Sequence, residues 1–408
     1  MKRKLVFVSL IIAAILCTSA QAFATSPFLP PFMRSEEETV TINRELFERL
    51  IKYEKLDVLL QIAEEYYYKD VDVEAMLDMA AVGLIAGIDD VYSAYYPKED
   101  MEELNEETEG EYAGIGCQLL ADPSDELITV TRVFKGSPAE SVGIRAGDKI
   151  VYVDDVYYSA YEMDEAVNVM RGEPGGTVKV PVLRNLETID FDVTREVIHI
   201  NYVEHEILEG NIGYVMVYDF LGNALEGFTQ AIESFKAANV SGMIIDLRNN
   251  GGGLVDVCVD MADLILPEGV VVSMRDKYEY TEEYKIDGEY YDVPMVVLIN
   301  EYSASASEIL AGAIRDYEAG TLVGTKSFGK GVVQSVLEFP DGSGVKLTTA
   351  SYFTPSGECI HDVGIEPDVA VELDEDAVTL YGLNNLPHEE DAQLQKAIEV
   401  LNDIISQL

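Results

Sequence analysis

Histidine and cysteine are scarce in this chain, four of each in 408 residues, and positive charge is outnumbered, with 28 Lys and Arg against 75 Asp and Glu. Cys117, Cys258 and Cys359 are widely spaced, and Cys17 lies in the N-terminal apolar stretch, so the cysteines make no disulfide framework. Their spacing fails every zinc signature, and the three read as small buried hydrophobes. No histidine or carboxylate cluster has metal-ligand spacing, and the Walker and dinucleotide fingerprints are absent, so neither metal nor cofactor is expected. A formal charge of −47 repels polyanions and excludes nucleic acid as a partner. Of the four histidines, His199, His205, His361 and His388, only His361 beside Asp362 leaves a Ser-His-Asp arrangement open.

What is present is a chain that is 48% hydrophobic, enough for a sizeable core divided among several domains. Met1-Lys2-Arg3-Lys4 is a basic start, Leu5 to Cys17 is apolar, and two small-x-small sites follow. Residues 1–24 therefore read as a signal peptide or a membrane anchor, and the chain as exported, either secreted or held at the outer face of a membrane. Residues 25–41, with Pro27, Pro30, Pro31 and a run of acids, read as a linker. Over 42–108 apolar residues recur at helical spacing, with Asn43 placed to cap the start. Residues 109–195 switch to short β-like runs punctuated by glycine. From 196 to 375 near-continuous apolar strands alternate with helical stretches, the pattern of an α/β body whose strands are covered on both faces. In the tail, 376–408, Leu394, Ile398, Leu401 and Ile405 line one helical face, which must be buried on its own body or on a partner.

Four segments could carry chemistry. Ser303-Ala304-Ser305-Ala306-Ser307-Glu308 follows an apolar strand and opens a helix. A serine there exposes its hydroxyl beside free N–H groups that can stabilise an oxyanion, although the same run serves equally as a close-packed, capped helix start. Downstream, Gly329-Lys330-Gly331 presents a lysine with no bulky neighbour, and Lys326 in the same loop is its rival. An amine acts as a base only when uncharged, so burial would have to prevail over the chain's negative field. Asn249-Asn250-Gly251-Gly252-Gly253 ends a buried strand, where glycines let backbone N–H groups converge on an anion or simply turn the chain. In the small β domain, Tyr112-Ala113-Gly114-Ile115-Gly116 precedes a strand, and Ser137-Pro138 starts a short helix. Such a loop beside an open strand edge can hold a peptide carboxylate while the peptide adds a strand, or the domain can act as a spacer.

The joint order of these motifs resembles the carboxy-terminal processing proteases, the tail-specific serine peptidases with a PDZ domain. The resemblance implies a crotonase/Clp-protease-like α/β core from 196 to 375, a PDZ domain over 109–195 and flanking terminal helices, multidomain α+β overall. It further implies Ser305 as nucleophile. Lys330, at 330 − 305 = 25 positions on, becomes the general base in preference to Lys326. Gln334 orients that lysine, and the backbone N–H groups of Gly252 and Ala306 form the oxyanion hole. Asp316, Thr354-Pro355-Ser356-Gly357 and Gly364-Ile365-Glu366-Pro367-Asp368 match too, whereas Asp89-Asp90-Val91-Tyr92-Ser93 and Ala113-Gly114-Ile115-Gly116 depart from the usual pattern. The implied activity is cleavage of exported proteins near C-termini bound by the PDZ domain, with a homodimer formed through the terminal helices; from its place in Met170-Arg171-Gly172, Arg171 is expected to couple that domain to the core. The alternatives are a non-catalytic PDZ-containing binding or scaffold protein, and a hydrolase of small esters or amides that uses His361.

Overall fold

The computed structural model describes residues 41–122, 125–373 and 386–408, so the expected leader and most of the linker lie outside the described residues. The chain separates into two bodies, one ending at Gly87 and one beginning at Ile88. In the first, Asn43 accepts the Leu46 N–H at 2.7 Å and starts Arg44–Leu50, which is followed by Glu54–Tyr66 and Val73–Ala86. None of these helices buries a side chain. Among the described residues no helix is long and apolar enough to cross a membrane.

The second body holds a six-stranded sheet in the order Val203–Leu208, Ile212–Val217, Gly242–Asp246, Met295–Ile299, Gly320–Gly324, Val369–Ala370. Its first pair is antiparallel and the rest run parallel. Side chains alternate across a strand. Met243 and Ile245 therefore pack with Val297 on the face covered by Ala224–Ala238, Val255–Asp263 and Ala306–Asp316, while Ile244 and Val296 face Ala392–Ile405. Burial on both faces is why these strands read as unbroken apolar runs. The C-terminal helix buries Leu394, Ala397 and Leu401 on this sheet, so its apolar stripe is covered by its own chain. A buried ion cluster fixes the helix start: Arg248 Nη2 reaches Asp246 Oδ2 at 2.6 Å and Asp391 Oδ2 at 2.8 Å.

A second, five-stranded antiparallel sheet contains Val332–Glu338, Gly344–Phe353, Gly269–Asp276 and Thr281–Ile286. Its fifth strand is Ala94–Tyr96, paired with Lys346 to Gly344. The stretch expected to be helical as far as 108 therefore contributes a strand to the body before resuming as the helix Lys98–Glu109. Between that helix and the α/β body, a small β domain folds around its own core of Ile128, Val130, Ile150, Val178, Val182 and their neighbours. It is closed at the stem by Glu111–Gly114 against Glu196–His199. Ser137 caps Pro138–Val142 as the sequence suggests.

Candidate active site

Ser305 immediately precedes the helix Ala306–Asp316 with φ 56° and ψ −116°, a region that residues with a side chain avoid. Such a conformation costs on the order of 1–3 kcal/mol and persists only where the surroundings impose it. Here the flanking serines do so. Ser303 Oγ donates to the Leu247 carbonyl at 2.7 Å, Ser307 Oγ to the Asn250 carbonyl at 2.9 Å, and the Ala304 N–H to the same carbonyl at 3.0 Å. The serine turn is thus stitched to the loop 247–250, and Ser305 alone of the three serines stays half-buried.

Gly252 lies against it with φ 115°, and a Cβ there would sit 2.7 Å from the Ser305 Cβ, so no other residue fits. Its N–H, expected as an oxyanion donor, instead donates to Asn250 Oδ1 at 2.8 Å, while Asn250 Nδ2 is anchored on the Val217 carbonyl. The Ala306 N–H, one of the first-turn donors that an α-helix leaves unpaired, has no acceptor among the described residues.

Glu308 is fully buried two residues into this helix, and its carboxylate takes four donors. Oε1 accepts from Ser327 Oγ at 2.5 Å and the Gly329 N–H at 2.7 Å; Oε2 accepts from the Lys330 N–H at 2.9 Å and the Ser305 N–H at 3.0 Å. One oxygen therefore holds the backbones of Ser305 and Lys330 together. Burial pushes the Glu308 carboxyl above its usual range while the four donors pull against it.

Burial also lowers the Lys330 amine, the nearby charge of Lys346 lowers it further, and Glu308 and Asp90 oppose both. The ammonium nitrogen stands 4.8 Å from the centre of the Tyr92 ring, and no hydrogen bond joins it to Ser305 Oγ. Gln334 Nε2 donates to Thr348 Oγ1 at 3.1 Å rather than to the lysine. Thr348 is in turn tied by its N–H to Ser93 Oγ at 3.0 Å, and Ser93 Oγ donates to Asp90. The segment expected to depart from the family pattern thus contacts both the lysine and the support of the glutamine. The rival Lys326 is half-exposed and paired with Glu366 at 2.9 Å. His361 packs against Gly331 and has no hydrogen bond to Ser305, and its Nδ1 is buried without a partner among the described residues. No group of three or more metal-binding side chains occurs among the described residues.

In the small β domain, Ile115 is buried and its carbonyl accepts the Ala139 N–H at 2.8 Å; the Gly116 carbonyl accepts the Phe134 N–H at 3.1 Å. A Cβ at Gly116 would lie 2.3 Å from the Ser137 Cβ. Tyr112 lies against Gly114, and burial pushes its hydroxyl well above the usual range. Ala113 accepts the Gly172 N–H at 3.3 Å. Arg171 covers the Tyr112 ring at 5.4 Å and binds Glu106 at 3.0 Å and Glu103 at 3.6 Å, so it bridges the domain to Lys98–Glu109. These groups open on a cavity of about 460 Å³, whose far wall is Tyr202, Tyr218, Asp219 and Leu221 and which reaches Asn249. Sequence reasoning quoted Glu308, Asn250 and Tyr92 without a role of their own and passed over Thr348 and Asp219. Only Glu308 carried a usable signal, an acid three residues after a capping serine.

Residues 211–371 match the model of peptidase family S41, and residues 129–184 match a PDZ domain model. A Staphylococcus epidermidis protein named "Probable CtpA-like serine protease" is 34% identical over 328 residues, 79% of this chain and 66% of its own length. A protein of the same name from Staphylococcus aureus strain COL is 33% identical over 370 residues, 90% of this chain and 72% of its own. The chain spans about two thirds of the length of these relatives. The solved structure of the photosystem II D1 C-terminal processing protease is 29% identical, with a TM-score of 0.52 over 85% of this chain and 99% of that one.

Replacing Glu308 by Gln turns an amide donor toward one of the four donors it now accepts. The expected result is a loss of about 2–4 kcal/mol in unfolding free energy, read by thermal melting, with faster hydrogen exchange at Gly329 and Lys330. A variant that melts like the parent and protects those amides equally would remove the carboxylate from this role.

Proposed function

Because the chain belongs to peptidase family S41, as a CtpA-like serine protease with a PDZ domain, we propose that Ser305 and Lys330 cleave exported proteins near C-termini held by that domain. The observation that carries this reading is the single Glu308 oxygen binding the Ser305 and Lys330 backbones beside an amine that burial drives toward neutrality. Uncharged Lys330 takes the Ser305 proton as Oγ attacks the scissile carbonyl. The tetrahedral oxyanion is met by the Ala306 N–H and by the Gly252 N–H once it leaves Asn250. Collapse expels the new amine with the proton carried by Lys330, and water then attacks the acyl-enzyme with Lys330 again as base.

Three contacts must exchange for this to happen: the Lys330 amine leaves the Tyr92 ring for Ser305, Gln334 leaves Thr348 for the amine, and Gly252 turns from Asn250. The described arrangement is in this reading a resting one, and a tail that shifts the Tyr112 ring disturbs the Arg171 contacts to that ring, Glu103 and Glu106. Arg171 is thereby the link between tail binding and the core. Export follows from the basic and apolar leader, removed or retained as an anchor. A purely binding or scaffold role is disfavoured, because it has no need of a buried amine beside a strained serine. Self-association runs through the helices of residues 44–86, where Phe47, Leu50, Leu59, Ile62 and Leu77 are exposed.

Ser305→Ala and Lys330→Ala should each lose cleavage of an unfolded protein substrate with melting unchanged, while His361→Ala retains it; the reverse pattern would select the histidine mechanism. Since the reacting amine is uncharged, kcat/KM rises as pH climbs through its pKa. Lys346→Met removes a neighbouring cation, lets that pKa rise and should move the ascending limb to higher pH; an unmoved limb would detach it from Lys330. Leu59→Glu with Ile62→Glu should reduce the mass in solution, measured by light scattering, from that of a dimer to that of a single chain, and an unchanged mass would move the contact elsewhere.

A further inference from the structure

We propose that Asp219 is a specificity-determining residue, whose carboxylate receives a Lys or Arg side chain from the stretch of substrate between the scissile bond and the tail in the PDZ groove. The inference rests on the C-terminal cleavage reading above.

Asp219 follows the strand Ile212–Val217 and lines the same cavity as the apolar side chains of Leu119, Met163 and Val167. The next residue ties it to the reaction centre. The Phe220 N–H donates to the Gly252 carbonyl at 2.7 Å, the Phe220 carbonyl accepts the Leu254 N–H at 2.9 Å, and Gly252 abuts Ser305. A peptide running from the groove to the nucleophile therefore passes Asp219 at the core end of the cavity.

No described residue donates a hydrogen bond to this carboxylate, and the two guanidiniums in the same cavity are committed elsewhere. Arg132 binds the Asn201 carbonyl at 2.9 Å and Glu204 at 3.0 Å and stacks on Tyr218 at 3.5 Å; Arg171 binds Glu106 and Glu103. Burial first, opposed by Arg132 and reinforced by Glu107, raises the Asp219 carboxyl to about 7. A partly buried carboxylate left without a donor costs free energy that a cation offsets. An acidic substrate side chain would meet Asp219 and Glu107 together and be repelled. The apolar wall leaves room for the methylene stem of a lysine or arginine.

The test uses the whole protein and peptide pairs that differ only by Lys or Glu in that stretch. The parent should favour the Lys peptide in kcat/KM by about tenfold or more. Asp219→Asn should bring the ratio toward one, Asp219→Lys should invert it, and Asp219→Glu should keep its sign. Ratios are taken within each protein, so a general loss cancels, and the Kd ratio in a Ser305→Ala background reads the same preference without turnover. A parental ratio near one, or a ratio unchanged by Asp219→Asn, overturns the proposal. A second pair with a free or an amidated C-terminus reports separately on tail recognition: equal cleavage sinks that reading while the Lys/Glu ratio still answers for Asp219.

Discussion

A single buried carboxylate joins the backbones of Ser305 and Lys330. Glu308 has no exposure to water, and four donors from three segments fill its two oxygens. All four are donors and none needs a proton back, so the site is complementary to the charged carboxylate even though burial disfavours that charge. The consequence is mechanical. The strained serine turn, the hydroxyl of Ser327 and the glycine-flanked lysine loop cannot shift independently without orphaning a buried donor. Ser327 extends the same restraint by accepting the Ile365 N–H at 2.7 Å, which draws the Gly364 to Asp368 segment into the cluster.

Rigid backbones around Glu308 contrast with uncommitted side chains. The Lys330 amine on Tyr92, Gln334 on Thr348 and the Gly252 N–H on Asn250 are each held by one interaction of a kind worth about 0.5–1.5 kcal/mol. Their sum is a few kcal/mol, well within the differential binding energy that a ligand can supply to move a two-state equilibrium. A peptidase arranged this way keeps Ser305 and Lys330 close through the main chain, and under the proposed mechanism the final contacts are left to side-chain rotation and one peptide turn.

The α/β body was legible because its strands are buried on both faces, so Met243-Ile244-Ile245 and Val296-Val297-Leu298-Ile299 admit no other placement among helices. The caps at Asn43 and Ser137 were legible for a local reason, a side-chain oxygen three residues before an unpaired N–H. Ala94–Tyr96 was hidden because a three-residue edge strand is defined by its partner at Gly344 to Lys346, some 250 residues on. Distance in sequence also concealed the Tyr92 ring over Lys330 and the Asp219 wall of the cavity. For Gly252 the glycine requirement was readable, since its Cβ would strike Ser305, but the direction of its N–H depends on Asn250, a side-chain contact with no periodicity to betray it.

The hardest demand of the proposed mechanism is an uncharged amine inside a chain of formal charge −47. Burial meets it first and Lys346 second, against Glu308 and Asp90. The carboxylate that positions Lys330 is therefore one of the two groups that resist its neutralisation. Four donors on Glu308 temper that conflict by spreading its charge into the backbone, which weakens its pull on the amine without loosening its hold on the loop. What remains is water. Lys330 is only partly buried in the described arrangement, so a substrate chain that seals the cleft removes solvent from the amine and pushes it further toward its reactive form. In the proposed mechanism drying by substrate would link occupancy of the cleft to the chemistry, because the uncharged fraction of the amine rises only where there is a carbonyl for Ser305 to attack.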